Sequence, residues 1–191
     1  MAIAMLSTLC LARAHAQALT VRVHDNAGAP VDNAVVALYG DGAAMAAGTK
    51  IESRGHVVDQ VGKRFVPRVT AIHAGDRISF PNSDNIRHHV YSFSPVKPFE
   101  LPLYHGTPTD PVVFENAGKV VLGCNIHDQM SAHIYVLDTS LYGQTANGAY
   151  TFANVKPGAY QLAVFHPRQD EAQDRERRHV VVDERATQSL E

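Results

Sequence analysis

Residues 118–130 read Gly118-Lys119-Val120-Val121-Leu122-Gly123-Cys124-Asn125-Ile126-His127-Asp128-Gln129-Met130. Lys119 to Leu122 has the apolar, β-branched character of a short strand. A cysteine follows it, and the next donors come at the spacing C-x2-H-x2-M. Upstream lies a second cluster, Asn82-Ser83-Asp84-Asn85-Ile86-Arg87-His88-His89-Val90. Cysteine binds metal as the thiolate, and a bound metal stabilises that form.

Around this stretch the chain reads as β. It has 191 residues, 45% of them hydrophobic and 19% charged, which excludes a disordered chain. Seventeen Lys+Arg against 19 Asp+Glu leave no basic excess for nucleic acid. Two Cys cannot build a disulfide scaffold, and 11 His stand beside no Trp. Short apolar runs alternate with turn signals: Leu19–Val23, Ala34–Tyr39, His56–Val58, Arg68–Ile72, Arg77–Phe80, Val90–Phe93, Val112–Phe114, Ile134–Leu137, Ala149–Phe152, Tyr160–Phe165 and His179–Val182. Residues 95–111 read as a proline-rich connection, and Gln169 to Arg178 as a solvated charged loop. Such a pattern predicts a β-sandwich or Greek-key barrel.

Within residues 1–18, Ala2 to Ala12 form an apolar run too short to span a bilayer as a helix, followed by Ala14-His15-Ala16 and Ala16-Gln17-Ala18. These small-x-small patterns predict a cleaved secretory signal peptide, although no Lys or Arg precedes the run. Export to the periplasm or beyond would remove Cys10 and leave Cys124 as a lone thiol in an oxidising compartment, where a bound metal is one way to protect it. No other long apolar run suggests a transmembrane segment.

Two imidazoles and one thiolate make a trigonal donor set, and a thioether supplies a long, weak axial contact. That is the donor set of a blue-copper site. Zinc wants a fourth strong ligand instead. The metal candidates are therefore His88 (alternative His89), Cys124, His127 and Met130.

The stretch 51–138 resembles the cupredoxins, the fold of plastocyanin and amicyanin. The resemblance rests on Phe65-Val66-Pro67, Gly75-Asp76, Ile78-Ser79-Phe80-Pro81-Asn82 and Gly118 to Cys124, with the short C-x2-H-x2-M loop of the amicyanin type. His88-His89-Val90-Tyr91-Ser92-Phe93, Phe99-Glu100-Leu101-Pro102-Leu103-Tyr104 and Gly123 to Asp128 are similar to secreted proteins labelled methylamine utilization proteins. The resemblance implies one type 1 copper ion. In the family the first histidine ligand lies six residues after the Asn that follows the strand; counting from Asn82 gives His88. Successive strand residues point to opposite faces, so His88 and His89 are exclusive alternatives.

The flanks resemble the two halves of a carboxypeptidase-regulatory-like, transthyretin-like sandwich. Residues 19–39 carry Val21-x-Val23-x-Asp25-x-x-Gly28-x-Pro30, and residues 141–165 carry Tyr150-x-Phe152-x-x-Val155-x-Pro157-Gly158-x-Tyr160-x-Leu162. The expected division is a signal peptide at 1–18, a first half-sandwich at 19–50, a cupredoxin unit at 51–138 and a second half-sandwich at 139–191. The alternative is a single cupredoxin with extra edge strands. The expected function is one-electron transfer to an unidentified redox partner protein, with copper delivery as the alternative. No nucleophile elbow, phosphate loop or carboxylate pair points to an enzyme.

Overall fold

The protein is described by a computed structural model covering residues 18–40, 52–108, 110–174, 176–183 and 187–190. Residues 1–17 of the expected signal peptide, with Cys10, lie outside the described residues, and Ala18 opens the first strand. In chain order the strands are β1 (Ala18–Arg22), β2 (Val35–Tyr39), β3 (Gly55–Val57), β4 (Asp59–Gln60), β5 (Phe65–Val66), β6 (Val69–His73), β7 (Asp76–Ser79), β8 (His88–Ser92) and β9 (Phe99–Tyr104). There follow β10 (Val112–Phe114), β11 (Gly118–Gly123), β12 (Ser131–Leu137), β13 (Leu141–Gln144), β14 (Ala149–Ala153), β15 (Gly158–Phe165), α1 (Glu171–Asp174), β16 (Arg178–Val182) and β17 (Thr187–Leu190). The fold is all-β with Greek-key crossovers, as the alternating runs predict.

The strands form two layered units. In the first, a five-stranded sheet, β6-β12-β11-β8-β9, faces a three-stranded sheet, β10-β7-β3. Between them lies a core that includes Phe65, Ile72, Ile78, Phe80, Phe114 and Leu122. In the second, β14-β1-β17 faces β13-β2-β15-β16 around Leu19, Leu38, Phe152, Tyr160 and Val180. The strand β1 pairs with β14, and β2 pairs with β13 and β15.

A third cluster joins the two units. Val35 and Ala37 of β2 and Ala163 and Phe165 of β15 meet Val69 of β6 and Tyr135 and Leu137 of β12. Both faces of β2 are therefore covered, which is why Val35-Val36-Ala37-Leu38 is uniformly apolar where a half-exposed strand would alternate.

Two expectations need correction. The stretch 95–111 contains β9, an edge strand paired with β8. Pro102 is accommodated because β8 and β9 shift register between His88 and Val90, giving β9 an extra residue opposite His89. The stretch 169–178 contains the single turn α1, closed by a reciprocal cap. Gln173 N–H donates to Asp170 Oδ1 at 2.8 Å, and Asp170 N–H donates to Gln173 Oε1 at 3.1 Å. A polar composition disguised that cap as a loop.

Candidate metal centre

Cys124 directly follows β11, and the loop from Cys124 to Met130 returns the chain into β12. The hairpin is fixed by antiparallel pairing of Gly123 with Ser131 and of Leu122 with Ala132. Within the loop, Met130 N–H donates to His127 carbonyl oxygen at 2.9 Å, a turn that places His127 over the cysteine. The next strand of the sheet is β8, joined to β11 by the pairing of Gly123 with Tyr91. Its first residue is His88, whose ring lies on the cysteine's side of the strand. At Gly123 the Tyr91 ring packs on bare backbone; a Cβ there would lie 2.6 Å from a ring carbon.

The donor atoms converge. His88 Nδ1 and His127 Nδ1 each lie 3.9 Å from Cys124 Sγ. The three candidate ligand atoms all lie within 4.8 Å of one another. A first-row ion with bonds of about 2.05 Å to nitrogen and about 2.3 Å to sulfur, at a trigonal angle near 120°, separates N from S by about 3.8 Å. The observed spacing therefore fits one ion between the three atoms. Met130 is fully buried in the same core cluster as Cys124. His127 is half-buried, between exposed Ile126 and Asp128.

His88 and His89 part company. His88 is wholly buried, and its Nε2 bonds Asp84 Oδ2 at 2.7 Å. His89 turns to the other face, where its Nε2 bonds Glu100 Oε1 at 2.9 Å and its ring packs 5.5 Å from Tyr91. The cluster of possible ligands contains His88 and omits His89.

The loop leading to His88 is held by Asn82. Its amide nitrogen donates to the carbonyls of Ile86 at 2.8 Å and Tyr104 at 2.9 Å, while its Oδ1 accepts from Asp84 N–H at 3.1 Å. Asp84 in turn accepts from the N–H groups of Gly62 at 2.6 Å and Lys63 at 2.8 Å. Burial alone would raise its pKa, but the N–H donor of Lys63, the His88 ring and the N–H donor of Gly62 hold it below the ordinary 3.8. Asp84 is not marked by the ligand spacing in the sequence. The available signal was a carboxylate four residues before a candidate histidine, the usual partner of a metal-bound imidazole.

Neither the scan against protein-family models nor the search of curated proteins found a match. Among solved structures the chain is similar to a copper-containing nitrite reductase from Thermus scotoductus SA-01, with 27% identity and a TM-score of 0.42, covering 49% of this chain and 25% of that one. A reduced variant of amicyanin aligns at 19% identity and a TM-score of 0.39, over 56% of this chain and 100% of amicyanin. Pseudoazurin from Hyphomicrobium denitrificans aligns at 23% identity and a TM-score of 0.37, over 43% of this chain and 74% of that one. The chain thus spans about a quarter of the length of the nitrite reductase it resembles.

Proposed function

We propose that this protein is a periplasmic or secreted one-electron carrier holding one type 1 copper ion. His88 Nδ1, Cys124 Sγ and His127 Nδ1 would hold the ion, with the Met130 sulfur as a further, weaker ligand. The observation that carries this reading is the convergence of two imidazole nitrogens, each 3.9 Å from the sulfur of a buried cysteine. Copper bound there supplies a Cu(II)/Cu(I) couple. The chain supplies rigidity: the β11–β12 hairpin fixes Cys124, and the Asn82-anchored loop fixes His88. Ligand positions set by the fold change little between oxidation states.

The half-buried His127, with Ile126 exposed beside it, offers the site's approach to a redox partner protein through a small, weak encounter surface. Copper delivery would favour ligands open to exchange. The exposures of His88 and Cys124, 0% and 3%, favour a retained ion. We assign residues 51–138 as the copper unit, set between 19–50 and 139–191 as halves of a second sandwich. The pairing of β1 with β14 and of β2 with β13 and β15 supports that division.

The test is to add Cu(II) to the purified protein, remove the excess, and count retained copper before cyclic voltammetry. One ion per chain with a reversible one-electron wave is expected. Loss of the metal on gel filtration, or binding of Cu(I) alone, would contradict the carrier role.

A further inference from the structure

Neutral imidazole has one N–H and one lone pair, so its two nitrogens cannot act alike. An ionised carboxylate only accepts hydrogen bonds. With Asp84 Oδ2 2.7 Å from His88 Nε2, the ring proton belongs on Nε2, and the lone pair on Nδ1 faces Cys124. The carboxylate is itself held. Gly62 and Lys63 have φ of 59° and 58°, a turn that aims both backbone N–H groups at Asp84. Lys63 is a non-glycine residue in the left-handed region, an uncommon conformation that its surroundings must enforce. The carboxylate is therefore clamped by one turn and presented to the buried ring by another.

Resting on the metal-centre reading above, we propose that Asp84 is a positioning residue for His88. It fixes the Nε2–H tautomer, and its negative charge makes Nδ1 a stronger donor, favouring the oxidised over the reduced ion. His127 carries no such clamp among the described hydrogen bonds, so the two imidazoles are unequal donors.

Asp84→Asn keeps the shape and removes the charge. Partners of this kind change metal affinity by about 10–100-fold when altered. The expected result is a tenfold loss of Cu(II) affinity with Cu(I) affinity unchanged. That raises the midpoint potential by about 59 mV for a one-electron couple. Asp84→Glu should recover part of the shift. Equal potentials for Asp84→Asn and wild type would overturn the proposal. Should Asp84→Asn fail to fold, the wild type decides: nitrogen-15 NMR of the metal-free protein at neutral pH should show His88 protonated at Nε2, and Nδ1–H would overturn it. A wild type that retains no copper would instead sink the metal-centre reading, while the tautomer still decides the Asp84–His88 contact.

Discussion

Cys124, His127 and Met130 stand out as candidates together because they share one loop, where spacing in sequence is spacing in space. His88 was harder, since it arrives from another strand and has an identical neighbour. Strand alternation makes the two histidines exclusive, but only the pairing of β8 with β11 shows which one faces the cysteine. His88→Gln is expected to weaken copper binding by at least about 10-fold, whereas His89→Gln should leave it unchanged. Competition with a chromophoric chelator measures both. A second prediction concerns pH. Burial, then Lys119 and Arg68, push His133 from the ordinary 6.5 down to about 4. The unfolded chain takes its proton first, so stability should fall as pH drops from about 6.5 to about 4, then level off for this group. Asp76 acts lower: burial alone would raise it, but the N–H groups of Arg54 and His73 and the His56 ring hold it below 3.8. Its contribution is present above 3.8 and lost as pH falls further. Urea unfolding across pH 3–7 should show both losses, and His133→Gln should flatten only the upper one.

The strands that alternate cleanly were readable, and those governed by their neighbours were not. The strand β9 was hidden by Pro102, which is tolerated only because it sits in a bulged edge strand. The strand β13 was hidden by its short, half-exposed sequence Leu141-Tyr142-Gly143-Gln144. Its glycine has a packing reason that only the folded chain reveals. A Cβ at Gly143 would collide with the Tyr150 ring of β14. Gly143→Ala should therefore destabilise by about 1–3 kcal/mol through overpacking, read as a lower urea midpoint at unchanged slope. Gly143→Ala combined with Tyr150→Leu should recover part of that loss.

At the scale of the molecule, the flanking strands pair with each other, and the unit that carries Cys124 leans on them through the cluster of Tyr135, Phe165 and their neighbours. Tyr135 stacks on Phe165 with ring centroids 5.4 Å apart. Phe165→Ala should cost about 3–5 kcal/mol of stability by denaturant unfolding, while the visible spectrum of the copper-loaded protein below its transition stays as in wild type. Sequence patterns suggested the flanks as half-sandwiches, but the cluster joining them to β6 and β12 is invisible in sequence because it depends on which face of each strand meets which. The metal-centre reading rests on one buried cysteine, Cys124. The most direct test is the visible absorption spectrum after Cu(II) addition, recorded for the wild type and for Cys124→Ser. The account predicts an intense thiolate-to-copper band in the wild type and its complete loss in the variant. A colourless wild type, or a coloured Cys124→Ser protein, would contradict it.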